Sequence, residues 1–243
     1  MDKLNICHLY PDLLNLYGDR GNIISMVKRL EWRGIGSEVI EISVGMEFNP
    51  DAYDIVFIGG GQDFEQEILL PDLLGEKASN LRHAVESDTT FLAICGGYQL
   101  LGLYYKTWNG HQLDFTGAID IYTIGNTDRM IGNFMFETSI DGQAYEVAGF
   151  ENHSGMTYLG DNVTPLGRII KGYGNNGTDR TAGARYRNVF CSYSHGPLLP
   201  KNPFLCDHIL LTALREKYGD YELKALNDSE ETSAHDVMCR RLR

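Results

Sequence analysis

The chain has 243 residues, enough for one large domain or two small ones and for a full core without disulfide or metal staples. Its 21 Lys and Arg against 33 Asp and Glu give a net charge of −12, which argues against nucleic acid and against direct attachment to an anionic membrane. No run approaches the ~18 apolar residues of a membrane span, no signal peptide is expected from residues 1–12, and five scattered cysteines (Cys7, Cys95, Cys191, Cys206, Cys239) without a CxxC pair suggest neither a disulfide framework nor a zinc site.

In chain order, residues 4–10 form an apolar stretch that suits a first strand. Residues 22–32 carry Ile23, Ile24, Val27 and Leu30 at helical spacing, with Gly34 and Gly36 as the stop. Residues 38–44 alternate like a short strand. Residues 54–58 are a continuous apolar run that breaks at Gly59, Gly60 and Gly61. A helix is expected over 69–86. Residues 90–94 are a second buried run, ending on Cys95-Gly96-Gly97, and a short helix follows through Leu101 and Gly102. Between 110 and 189 many short β-like pieces and glycines predict antiparallel strands and loops added to one side of the sheet. A last strand over 188–193 leads to Ser194-His195-Gly196, and 203–217 reads as a helix. The polar stretch 228–243 is either a short helix or a disordered tail. Buried apolar runs alternating with helices predict an α/β fold, a mostly parallel sheet flanked by helices, with the whole chain as one domain.

Cys95 is the sharpest chemical feature. It follows an apolar run and precedes two glycines, as a nucleophile on a tight strand-to-helix turn must, because larger neighbours would clash there. The N-terminus of the next helix favours a thiolate, and the Gly96 N–H can stabilise an oxyanion. A thiol nucleophile needs a base. His195, delivered by a β-rich run to a glycine turn, is the first candidate; His153, in Glu151-Asn152-His153-Ser154-Gly155, is the second and is better suited to shaping the site. The glycines at 59–61 follow a strand where a backbone approaches a ligand. No Gly-Lys-Ser/Thr follows and the G-x-G-x-x-G spacing is absent, so neither a P-loop nor a dinucleotide fingerprint is present. The role expected for Gly60 is a second oxyanion donor facing Gly96.

Together, the glycine loop, the elbow Ala93-Ile94-Cys95-Gly96-Gly97-Tyr98-Gln99 and the late histidine resemble a class I (triad-type) glutamine amidotransferase. The resemblance implies a flavodoxin-like sheet and hydrolysis of glutamine at Cys95. It also implies His195 as base and acid, Gly60 and Gly96 as oxyanion donors, and Gln99 holding the substrate. Such acyl transfer needs no cofactor. Most members carry a glutamate two residues after the histidine. Here the segment is His195-Gly196-Pro197, so the orienting carboxylate is expected from a partner subunit or from nowhere. Tyr193-Ser194-His195-Gly196 and Gly149-Phe150-Glu151-Asn152-His153-Ser154-Gly155 are similar to the cobyric acid synthase branch.

The opening Tyr10-Pro11-Asp12-Leu13-Leu14-Asn15-Leu16-Tyr17-Gly18-Asp19-Arg20-Gly21-Asn22 and the loop from Gly59 to Gln66 resemble a narrower group. These are the small glutaminase subunits of the lipid II isoglutaminyl synthases of Gram-positive bacteria. That resemblance implies a cytoplasmic heterodimer with a Mur-ligase-like, MurT-type partner. The partner would hold ATP and Mg and meet lipid II at the inner face of the membrane. It also puts Arg129 where a substrate-binding arginine stands; a guanidinium suits the α-carboxylate of L-glutamine. Weak activity alone and more with the partner is the expectation. The alternatives are an amidotransferase for another acceptor such as a corrinoid, a flavodoxin-like cysteine peptidase, and a non-catalytic subunit. At 243 residues a fused synthetase domain is not expected in this chain.

Overall fold

The computed structural model describes residues 2–243. In chain order come β1 (Lys3–Leu9), α1 (Arg20–Glu31), β2 (Gly36–Ile42), β3 (Ile55–Ile58), α2 (Asp63–Asp72), α3 (Ala78–Glu86), β4 (Thr90–Ile94) and α4 (Gly96–Leu100). Then follow β5 (Tyr104–Lys106), β6 (Gln112–Asp114), β7 (Ile121–Ile140), β8 (Gln143–Leu159), β9 (Gly167–Lys171), β10 (Thr181–Ala182), β11 (Ala184–Tyr186) and β12 (Val189–Ser192). Three helices close the chain: α5 (Leu198–Lys201), α6 (Pro203–Tyr218) and α7 (Ser229–Leu242).

The first sheet has strand order β11-β12-β4-β3-β1-β2, with only β11 antiparallel. β3 and β4 are buried along their whole length, which is why they read as unbroken apolar runs. Each fully buried Leu, Ile or Phe there contributes about 1.5–3 kcal/mol. The register aligns Leu9 with Ile58, Ile58 with Ala93, and Ala93 with Cys191. Four neighbouring strands therefore end together, and the segments that follow β1, β3, β4 and β12 meet at one carboxyl edge. The order reverses between β1 and β3, the crevice where open α/β sheets bind ligands.

Two expectations change. Of the middle of the chain only β11 extends the first sheet, as one antiparallel edge strand; the rest forms a second sheet, ordered β10-β9-β7-β5-β6 with β8 paired to β7. Its main feature is not a set of short pieces but one long hairpin, β7 and β8, turned at Asp141-Gly142. Both turn residues have positive φ (51° and 80°), as a two-residue hairpin turn of matching twist requires. The helix expected over 69–86 begins earlier, at Asp63, and is interrupted over Leu73–Lys77, where Gly75 leaves the helical region. The tail takes the first of its two expected forms, the helix α7. Asp228, just before it, and Asp207 on α6 both bond to the buried Arg29 guanidinium, at 2.6–2.9 Å.

No helix among the described residues is long and apolar enough to cross a membrane. All five cysteines are free and buried.

Candidate active site

β4 ends at Cys95, whose φ of 50° and ψ of −104° turn the chain sharply into α4. Positive φ is uncommon for a residue with a side chain, and it persists here because the surroundings over-determine it. The Cys95 N–H donates to Ser192 O at 2.9 Å, and the Gly97 N–H donates to Gly59 O at 3.1 Å. A methyl group on Gly97 would lie 2.6 Å from Ile58 O, so only glycine lets the elbow sit against the end of β3. The thiol residue is 6% exposed.

His195 arrives from β12. Its N–H donates to Phe150 O at 2.7 Å, so the long hairpin fixes the turn. The ring is fully buried. Nδ1 lies 3.3 Å from both carboxylate oxygens of Asp19, and the ring also hydrogen-bonds with Cys95. Burial works against the imidazolium, but the Cys95 thiolate and the Asp19 carboxylate outweigh it and push the His195 pKa up to about 10. The three groups converge on Gly60. A Cβ built there would be 2.5 Å from His195 Cε1, 3.1 Å from Asp19 Oδ2 and 3.4 Å from Cys95 Cβ.

Asp19 corrects the expectation that no carboxylate of this chain reaches His195. It comes from the segment between β1 and α1, and β1 is the neighbour of β3 in the sheet. Asp19 also alters the reading of Gly60, whose N–H donates to Asp19 Oδ2 at 2.8 Å. The Gly61 backbone packs against the elbow; its nitrogen and oxygen are 2.8 and 2.9 Å from where a Gly96 Cβ would stand.

A cavity of about 250 Å³ opens over the thiol, lined by Cys95, Gln99, Gly61, Arg129, His153 and Tyr17 among others. Arg129 sits where the β7–β8 register shifts, between Gly125 and Met130. It is exposed, and its Nε donates to Asn152 Oδ1 at 3.0 Å. Gln99 is buried and already engaged: its amide donates to Tyr193 Oη at 3.1 Å and accepts from Gln66 Nε2 at 2.8 Å. His153 stacks flat on Tyr193, 3.7 Å between centroids. Its Nδ1–H donates to Gly155 O at 2.8 Å, and its Nε2 is 3.6 Å from buried Glu151. That leaves His153 as a wall of the cavity. Sequence reasoning missed Asp19, Tyr17, Gln66 and Asn152. The first two lie in the opening stretch that carried the family resemblance, and Asn152 lies in the segment around His153.

A buried thiol, imidazole and carboxylate at the carboxyl edge of a parallel sheet is the arrangement of a cysteine-dependent acyl-transfer enzyme. More narrowly, the chain belongs to the CobB/CobQ-like glutamine amidotransferase family, whose domain matches residues 5–203. It is 42% identical to a protein of Streptococcus pneumoniae named lipid II isoglutaminyl synthase (glutamine-hydrolyzing) subunit GatD, over 93% of this chain and 86% of that one. It is 39% identical to the Staphylococcus aureus protein of the same name, over 99% and 97%. Among solved structures, PurLQS from Thermotoga maritima shares the fold with a TM-score of 0.58 at 15% identity, covering 88% of this chain and 99% of that chain.

Proposed function

We propose that this chain is the glutamine-hydrolysing subunit of a two-component lipid II isoglutaminyl synthase. The observation that carries this reading is 39% identity over nearly the full length of both chains to a relative bearing that name. In this reading a Mur-ligase-like partner, holding ATP and Mg, activates the α-carboxylate of D-glutamate in the lipid II stem peptide. Ammonia from this chain then converts it to D-isoglutamine for peptidoglycan. The subunit works in the cytoplasm and meets lipid II only through its partner.

The geometry of the site supports this chemistry. Arg129, steered by Asn152, pairs with the α-carboxylate of L-glutamine. The Cys95 thiolate, its proton held on His195, attacks the carboxamide carbon. The oxyanion faces the N–H groups of Gly96 and Gly61. His195 returns its proton to the nitrogen as the C–N bond breaks, ammonia leaves, and a γ-glutamyl thioester remains. Water, deprotonated by His195, hydrolyses it to glutamate and restores the thiol. With its pKa at about 10, His195 is a competent acid at neutral pH, and hydrolysis is expected to fall as pH rises toward that value.

Ammonia release from L-glutamine, measured with and without the Mur-ligase-like partner, tests the reading. A low rate alone and a higher rate in the complex is expected, with amidated lipid II appearing when ATP is added. Equal rates contradict partner control, and glutamine hydrolysis without amidation of lipid II contradicts the acceptor.

A further inference from the structure

The segment between β1 and α1 brings one buried charge to the site. Asp19 is 0% exposed. A carboxylate removed from water is costly unless paired and hydrogen-bonded. Its partners are the Gly60 N–H, at 2.8 Å, and the Nδ1 of His195, 3.3 Å from each oxygen. The segment is held in place from several sides. The Leu16 N–H donates to Gly60 O at 3.2 Å, and Asn15 Oδ1 accepts the Arg20 N–H at 2.8 Å. Tyr17, at a φ of 54°, sets its ring edge-on to the His195 ring with 4.9 Å between centroids. Its hydroxyl accepts a hydrogen bond from Asn152, the residue that also holds Arg129.

We propose that Asp19 is the positioning carboxylate of His195, delivered from the β1–α1 segment instead of from the residues that follow the histidine. The inference rests on the thiol–imidazole reading of the site. An anion on Nδ1 fixes the proton there and turns Nε2 toward the thiol. It also stabilises the imidazolium that forms when Cys95 gives up its proton. The groups facing the ring are Cys95, Asp19 and the edge of Tyr17. Lys201 hydrogen-bonds the backbone carbonyls of His195 and Gly196 and interacts at longer range with Asp19. Among the described residues, Asp19 is the anion apart from the thiolate itself that acts on the ring.

The test is the pH dependence of Cys95 alkylation by iodoacetamide, followed on the Cys95 peptide in wild type and Asp19→Asn. The expected result is a roughly tenfold slower reaction for the variant at pH 6–7, with the two rates converging at alkaline pH where the thiol ionises unaided. A purely structural role would depress the rate at every pH. A second measurement needs no variant: above pH 10, where the ring is neutral, the side-chain 15N shifts of His195 report which ring nitrogen holds the proton, and Nδ1 is expected. Superimposable alkylation profiles, or a neutral ring protonated on Nε2, overturn the proposal. L-Glutamine hydrolysis by the partnered wild type reports on the glutaminase reading separately. No hydrolysis beside an Asp19-dependent alkylation profile would remove that reading and leave the Asp19 role standing.

Discussion

The two sides of the cavity are built differently. On the sheet side, Cys95, His195 and the glycine loop are buried and fixed by backbone hydrogen bonds and by contacts too close for any side chain. On the mouth side, Tyr17 and Arg129 are exposed, and side-chain hydrogen bonds through Asn152 link them. Under the proposed function, the first side holds the reacting atoms and the second meets the substrate, so substitutions on the two sides should have different kinetic signatures.

Gly60→Ala should show the larger effect. The added methyl would sit 2.5 Å from His195 Cε1, so the ring must move. A displacement of that size is expected to lower kcat about 10²-fold with little change in KM, measured as ammonia release under saturating glutamine. A variant that keeps its kcat would show that the sheet side is not over-determined. On the mouth side, Arg129→Ala should act on KM. Losing a charge-assisted pair of about 1.5–3 kcal/mol raises KM roughly ten- to a hundredfold, and kcat stays near wild type. A fall in kcat with KM unchanged would erase the distinction.

The smallest expected effect is on stability. The His195 pKa rises from an ordinary 6.5 to about 10, so folding favours its charged form. That stabilisation is present in full below pH 6.5 and is lost as pH climbs through about 10. The melting temperature of His195→Gln should therefore trail wild type by a few degrees at pH 6 and approach it near pH 10. A gap that widens with pH would reverse the sign.

Legibility in the sequence follows the same division. Strands β3 and β4 and the elbow were readable because full burial leaves unbroken apolar runs and a tight turn demands glycines. The same logic reached His195 through the run before it. Asp19 was not readable, because its approach depends on β1 lying beside β3, and strand order is not local information. The long hairpin was missed: Asp141-Gly142 is a turn signal, but Gly125, Gly132 and the register shift before Met130 break the β7 pattern into what look like short pieces. Arg129 was reached only through family resemblance, since an exposed arginine on an irregular strand carries no periodic mark. The interruption at Gly75 left helical periodicity on both sides and so passed as one helix.

The central claim is that Cys95 is the nucleophile that opens glutamine. A diazoketone analogue of glutamine should label the Cys95 peptide, and excess L-glutamine should prevent the labelling. Cys95→Ala should be unlabelled and release ammonia from glutamine at least ~10⁴-fold more slowly than wild type, each assayed with the partner bound. Labelling at another residue, or a Cys95→Ala variant that still hydrolyses glutamine, would contradict the account.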